Sequence, residues 1–164
     1  AQWHDPRAYC AAVLSSLPSV DMILGTDDEI NAAMLTDPRA VRLTDSQISD
    51  ARVAGDAAEH AVRLMERGPA VLVEKRGKEG CRIYRRDAAP EDVPGFSVTV
   101  QNILGAGDAF GAGFLYGYVK KWDLRKAARL GNACGAMVVT RHGCSVSMPF
   151  WDEVMAFADE RGGL

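Results

Sequence analysis

The sequence predicts an α/β protein built on a largely parallel sheet. Two short apolar runs, residues 20–24 and 70–73, have the length and composition of buried strands, and helical patterns lie between and after them. No segment repeats another. Glycines fall where strands should end: Gly25, Gly77 with Gly80, and Gly105 with Gly107. Ligands in such sheets bind beyond the carboxyl ends of the strands, so these turns are the first places to seek a site.

Residues 8–16 form a short amphipathic helix pattern that stops near Pro18. The run at 20–24 is a strand before Gly25. Thr26-Asp27-Asp28-Glu29 then reads as a helix start, with a capping threonine, a glutamate three residues on and acids in the first turn. A long helical pattern follows Thr44 through Ala51, Ala54, Ala58, Ala61, Leu64 and Met65 to Gly68. After the strand at 70–73, residues 81–85 alternate and suit a hairpin partner across the turn Lys75-Arg76-Gly77-Lys78-Glu79-Gly80. Residues 96–100 are the next strand. Helices run from Gly107 and from Asp123, and a last one follows Pro149.

The 164 residues suffice for one domain that buries roughly two-thirds of its unfolded surface. An apolar fraction of 48% and a charged fraction of 25% are ordinary for a globular protein. A net charge of −3 supplies no broad basic field, which argues against nucleic acid or an anionic membrane as partner. No apolar run reaches the roughly 20 residues that span a bilayer, and the first residues do not form a signal peptide. Cys10, Cys81, Cys134 and Cys144 are scattered without C-x-x-C spacing, so neither a zinc site nor a disulfide framework is indicated. A reduced, cytoplasmic setting is the expectation.

The segment Asn102-Ile103-Leu104-Gly105-Ala106-Gly107-Asp108-Ala109-Phe110-Gly111-Ala112-Gly113 carries the most information. Glycines at a strand-to-helix turn let the backbone approach a ligand and aim N–H groups at it, and the helix that follows adds positive potential. Asp108 is the unusual member. A carboxylate beside a bound phosphate is costly unless it has work, and general-base activation of an attacking hydroxyl is such work. Two other readings stand beside this one. Gly105-x-Gly107-x-x-x-Gly111 superficially follows the dinucleotide-binding turn but lacks its βαβ context. Asp108 could also simply cap a helix packed through small residues.

The string closely resembles the signature of the PfkB, or ribokinase-like, family of carbohydrate kinases, approximately D-T-x-G-A-G-D-x-F-x-x-G. The resemblance implies a three-layer αβα fold. It also implies that Gly105, Ala106 and Gly107 form the anion hole for the transferred phosphoryl group and that Asp108 is the base. The departure is Asn102, where relatives have an aspartate that helps bind a monovalent cation such as potassium. A G-x-x-G turn that contacts the nucleotide in the family matches Gly77 and Gly80, with Lys75 as the associated cation. Glu29 matches the glutamate of the N-x-x-E motif that organises magnesium and phosphate, while Thr26 departs from it. Gly131-Asn132-Ala133-Cys134-Gly135-Ala136 leaves room for a flat ring, so Asn132 implies an adenine wall; tight helix packing explains the same small residues. Thr140-Arg141-His142-Gly143 resembles the family's T-R-x-G turn beside the base and cation sites, and Gly143 matches.

Further stretches, among them residues 73–80, 104–118 and 127–136, resemble the 5-dehydro-2-deoxygluconokinase subgroup of inositol catabolism. The resemblance implies that residues 1–164 are the C-terminal nucleotide-binding and catalytic portion of a kinase domain, without the N-terminal sugar-binding part and lid. The implied activity uses ATP and Mg²⁺ to phosphorylate a primary hydroxyl of a sugar or sugar acid, with 5-dehydro-2-deoxy-D-gluconate as the first candidate. Another sugar (2-keto-3-deoxygluconate, fructose or ribose) and a non-catalytic nucleotide-binding module are the alternatives. A sheet lacking its N-terminal strands would leave an edge uncovered, so a homo-oligomer is expected, with incomplete order near residues 87–94.

Overall fold

The computed structural model describes residues 6–35, 37–43 and 51–164. The chain divides into two compact units, Ala1–Lys75 with Ile83–Glu91, and Arg76–Arg82 with Asp92–Leu164.

The first unit opens with helix α1 (Pro6–Ser16), strand β1 (Met22–Thr26) and helix α2 (Asp27–Ala33). The predicted capping box is fully formed: Glu29 N–H donates to Thr26 Oγ1 (3.3 Å), and Thr26 N–H donates to Glu29 Oε2 (2.7 Å). Strands β2 (Val41–Leu43) and β3 (Ala51–Val53) then pair antiparallel, Val41 opposite Val53. The long helix expected after Thr44 is therefore shorter. Its first residues, 44–50, lie outside the described residues, and helix α3 spans only Ala57–Met65. Two side chains set this outcome. Asp28 accepts the Val53 N–H (2.8 Å) and pairs with Arg52 (2.7 Å), fixing β3 as a strand. Asp56 caps α3 by accepting the amides of Ala58 and Glu59.

Strands β4 (Val71–Lys75), β5 (Cys81–Arg85) and β6 (Ala88–Val93) complete a four-stranded sheet of order β1-β4-β5-β6. β1 and β4 are parallel, with Met22 opposite Val71 and Thr26 opposite Lys75. The sheet is mixed rather than largely parallel, because the links from β4 to β5 and from β5 to β6 are too short for a crossover. Residues 88–93, expected to be poorly ordered, form the edge strand β6; its exposed Pro90 is tolerated at an edge because no ladder donor is needed there. The core of this unit gathers Leu17, Ile30, Leu64, Met65 and Leu72. Tyr84 Oη donates to the buried Glu74 carboxylate (2.7 Å), so that charge is not left unpartnered.

The second unit holds helices α4 (Ala106–Val119), α5 (Leu124–Val138) and α6 (Trp151–Asp159). Asp123 caps α5 through the Lys126 amide, and α6 begins two residues after Pro149, as the sequence indicated. α4 and α5 approach through small residues. A Cβ on Gly113 would lie 2.9 Å from Cys134 Sγ, one on Gly117 2.8 Å from the Ala127 methyl, and one on Gly131 2.9 Å from the Phe110 carbonyl. Phe96, Leu130, Met137 and Val154 form the core below. Residues 96–100 are not a strand, contrary to expectation: no described strand pairs with them and Val100 is exposed. The chain after them is held by α5 instead, since Gln101 and Asn102 N–H both donate to the Val139 carbonyl (2.7 and 3.2 Å). Among the described residues, no helix is long and apolar enough to cross a membrane.

Candidate active site

The turn into α4 is built from the residues singled out in the sequence. Gly105 caps the helix in the left-handed conformation (φ 85°, ψ −3°), which an L side chain adopts at a cost. Its Cα faces Cys144, whose Sγ would lie 2.7 Å from an added Cβ. Ala106 N–H donates to the Ile103 carbonyl (3.3 Å) and Ala109 N–H to the Gly105 carbonyl (2.9 Å). Among the described residues the amides of Gly105, Gly107 and Asp108 have no such acceptor, so the open donors at this helix start are two of the Gly-Ala-Gly string and the Asp108 amide that follows it. Asp108 is exposed on the first turn and makes no hydrogen bond or ion pair with a described residue. A free carboxylate beside open amides can accept a proton from a hydroxyl while the amides hold an anion.

Asn102 braces this turn from behind. Its Oδ1 accepts the Leu104 N–H (3.1 Å), and its Nδ2 donates to the Gly143 carbonyl (3.2 Å). The amide thus occupies both the loop before α4 and the turn after α5. Gly143 has φ 120°, and a Cβ there would meet Ser147 Oγ at 2.9 Å; Ser147 Oγ in turn donates to the His142 carbonyl (2.9 Å). Arg141 pairs with Glu153 at the start of α6 (2.9 Å). The Phe150 N–H bond and Arg141 hold the Glu153 carboxyl below the usual range.

Glu29 and Lys75, assigned separately from the sequence to metal and nucleotide, meet in the first unit. Lys75 Nζ lies 3.3 Å from Glu29 Oε2, the same oxygen that caps α2, at the ends of the parallel pair β1–β4. No described cluster of three or more histidine, cysteine or acidic side chains could enclose a metal. Glu29 is mostly exposed and its other oxygen has no partner among the described residues, which fits a magnesium ion carried by phosphates and touched through water rather than one caged by the protein.

The turn after β4 lies in the second unit. Gly77 (φ 57°) is exposed, and a Cβ there would touch nothing, so its backbone is open to a ligand. Gly80 (φ 92°) is different: a Cβ would collide with the Val93 carbonyl, which explains this glycine by packing. Arg76 pairs with Glu79 and Asp92, and Arg82 grips Asp92 (2.7 Å). The Arg82 hydrogen bond foremost, with Arg76, keeps the Asp92 carboxyl below its ordinary value. Asn132 is buried and its Nδ2 donates to the carbonyls of Val93 and Pro94 (3.2 and 3.1 Å), fastening α5 to the chain beyond β6. The same nitrogen lies 3.9 Å from Cys81 Sγ. Burial pushes the Cys81 thiol up to about 12 and the Cys134 thiol to about 11. The contacts of Cys144 under Gly105 and of Asn132 with two carbonyls were not legible in the sequence, since both join residues about 39 apart.

A family model for pfkB family carbohydrate kinases matches residues 2–151. A 5-dehydro-2-deoxygluconokinase of Clostridium botulinum (strain Alaska E43 / Type E3) is 36% identical over 103 residues, 63% of this chain and 30% of the relative. One from Clostridium tetani (strain Massachusetts / E88) is 31% identical over 141 residues, 86% of this chain and 38% of the relative. The fructokinase of Xylella fastidiosa, solved with bound ATP, superposes with a TM-score of 0.76 at 23% identity, over 98% of this chain and 48% of that one. The fold is therefore ribokinase-like, and the chain spans less than half the length of each of these proteins.

Proposed function

Because the chain belongs to the pfkB family of carbohydrate kinases, we propose that it is the C-terminal, nucleotide-binding and phosphoryl-transfer portion of a sugar kinase. The acceptor in this reading is the 6-hydroxyl of 5-dehydro-2-deoxy-D-gluconate, supported by the names of the Clostridium relatives. The observation that carries the reading is Asp108: an exposed, unpaired carboxylate on the first helical turn beside the open amides of Gly107 and Asp108.

Phosphoryl transfer asks the protein mainly for positioning and charge stabilisation. Gly105 sets the turn, Ala106 keeps it closed through Ile103, and the next two amides receive the phosphoryl oxygens. Asp108 takes the hydroxyl proton as that oxygen bonds to the γ-phosphorus and the bond to the β-phosphate oxygen breaks. Gly77 gives the nucleotide open backbone; Gly80 and Asn132 shape that wall by packing, and Gly143 holds the turn behind it. Lys75 offers a cation and Glu29 a water-mediated contact to magnesium, which neutralises phosphate charge when bound.

The test is Asp108→Asn in the full-length protein that contains this sequence. The amide keeps the shape and loses the base, so kcat should fall about 10²- to 10⁴-fold while ATP affinity stays within about twofold. Near-normal turnover would remove Asp108 from the mechanism. Comparing kcat/KM for 5-dehydro-2-deoxygluconate with fructose, ribose and 2-keto-3-deoxygluconate tests the acceptor.

A further inference from the structure

A cleft of about 650 Å³ in the second unit shares no residue with the turn into α4. Its walls are residues 94–97, Arg125 and Arg129 of α5, and the segment Arg161 to Leu164 after α6. This volume suits a small organic molecule. Three arginines line it, and no aspartate or glutamate side chain does.

Arg129 is the central observation. It is half-buried and lies flat on the Phe96 ring (3.7 Å from the centroid), with Nη1 donating to the Pro94 carbonyl (2.9 Å) and Nη2 to the Gly163 carbonyl (3.1 Å). These partners fix the guanidinium but are neutral, and among the described residues no carboxylate pairs with it. A clamped, half-buried arginine that faces a cleft lined by no aspartate or glutamate side chain is preorganised to receive an added anion. Burial, then the nearby Arg125 cation, both disfavour its charged form, as expected where a counter-ion is needed. Arg125 Nη1 reaches the Asp92 carbonyl (3.4 Å), and Arg161 stacks on Phe157 (4.1 Å) and pairs with its neighbour Glu160 (2.9 Å). Both side chains stay in reach of the cleft.

We propose that this cleft binds a small phosphate-bearing anion, gripped by Arg129 and flanked by Arg125 and Arg161. Arginine forks match phosphate oxygens bidentately, and the ring of Phe96 with Pro94 offers an apolar wall to the organic part. The site is one of binding only, with no bond made or broken.

The experiment titrates ¹⁵N-labelled protein with inorganic phosphate and, separately, glycerol 3-phosphate, against sodium chloride at equal ionic strength. Saturable amide shifts at Ser97, Gly162 and Gly163 with both phosphates, absent with chloride, are expected. Arg161→Gln, an exposed change, should weaken binding at these amides about tenfold, the loss of one charge-assisted contact. Arg129→Gln should abolish it, and Arg129→Lys should not restore it, because an ammonium lacks the fork. Shifts confined to Gly107 and Asp108 would place phosphate at the α4 turn alone and overturn the proposal. So would a chloride response equal to that of phosphate, or an unchanged affinity in both Arg161→Gln and Arg129→Gln.

Discussion

Replacing Gly105 by alanine separates two costs that the structure places on one atom. Gly105 sits at φ 85°, and holding an alanine there costs about 1 kcal/mol. The new methyl would stand 2.7 Å from Cys144 Sγ and 3.5 Å from Cys144 Cα and Met148 Cε. That is about an ångström inside van der Waals contact, and overpacking of this kind costs about 1–3 kcal/mol. Gly105→Ala should therefore destabilise by about 2–4 kcal/mol. Cys144→Ala removes the clashing sulfur and leaves the backbone cost, so the double variant should recover the packing part and keep about 1 kcal/mol of loss. The assay is urea unfolding of the four proteins of the cycle, followed by tryptophan fluorescence. A Gly105→Ala protein within about 0.5 kcal/mol of the parent, or a double variant no more stable than Gly105→Ala, would show that the turn relaxes freely and that Cys144 does not define it.

Asn132→Ala strips the donor from the carbonyls of Val93 and Pro94 and should cost about 1–3 kcal/mol in the same unfolding assay; Asn132→Asp, which also cannot donate, should be no better. The lowered carboxyls of Asp92 and Glu153 favour the folded state above the ordinary unfolded value of about 4, and this contribution is lost as pH falls through their folded values. Stability should thus decline below about pH 4, and Asp92→Asn with Glu153→Gln should flatten that part of the pH–stability curve. Cys81 and Cys134, with thiols pushed to about 12 and about 11, should resist iodoacetamide at pH 8 in the folded protein. Mass spectrometry of the peptides would show rapid labelling of either one if that burial were not real.

Local signals in the sequence survived into the structure where a single turn decides the outcome. Thr26 with Glu29 gave a complete capping box, Asp123 capped α5, and the glycines before Asp108 opened a helix. The errors came where distant partners decide. The helical pattern after Thr44 lost to an antiparallel pair and to Asp28, which binds β3 from 25 residues away. Residues 96–100 have strand composition but no neighbour to pair with, and residues 88–93 became a strand because β5 lies beside them. The opposed charges Arg85 with Glu91, and Arg82 with Asp92, were the signal available for that hairpin. In the site, residue types were legible and their relations were not. Glu29 and Lys75 meet only because β1 and β4 are in register at Thr26 and Lys75.

The close seam between α4 and α5 has a consequence for how this molecule can change over time. Gly113, Gly117 and Gly131 leave no slack between the two helices, and the far end of α5 holds residues 101 and 102 through one carbonyl, Val139. A single added methyl along that seam pushes on a lever whose other end is the turn into α4. Gly117→Ala, about two and a half helical turns from Asp108, should therefore register as a loss of turnover before it registers as a loss of folding. Positions that hold this turn in place thus lie along a line of glycines at a distance from Asp108 itself.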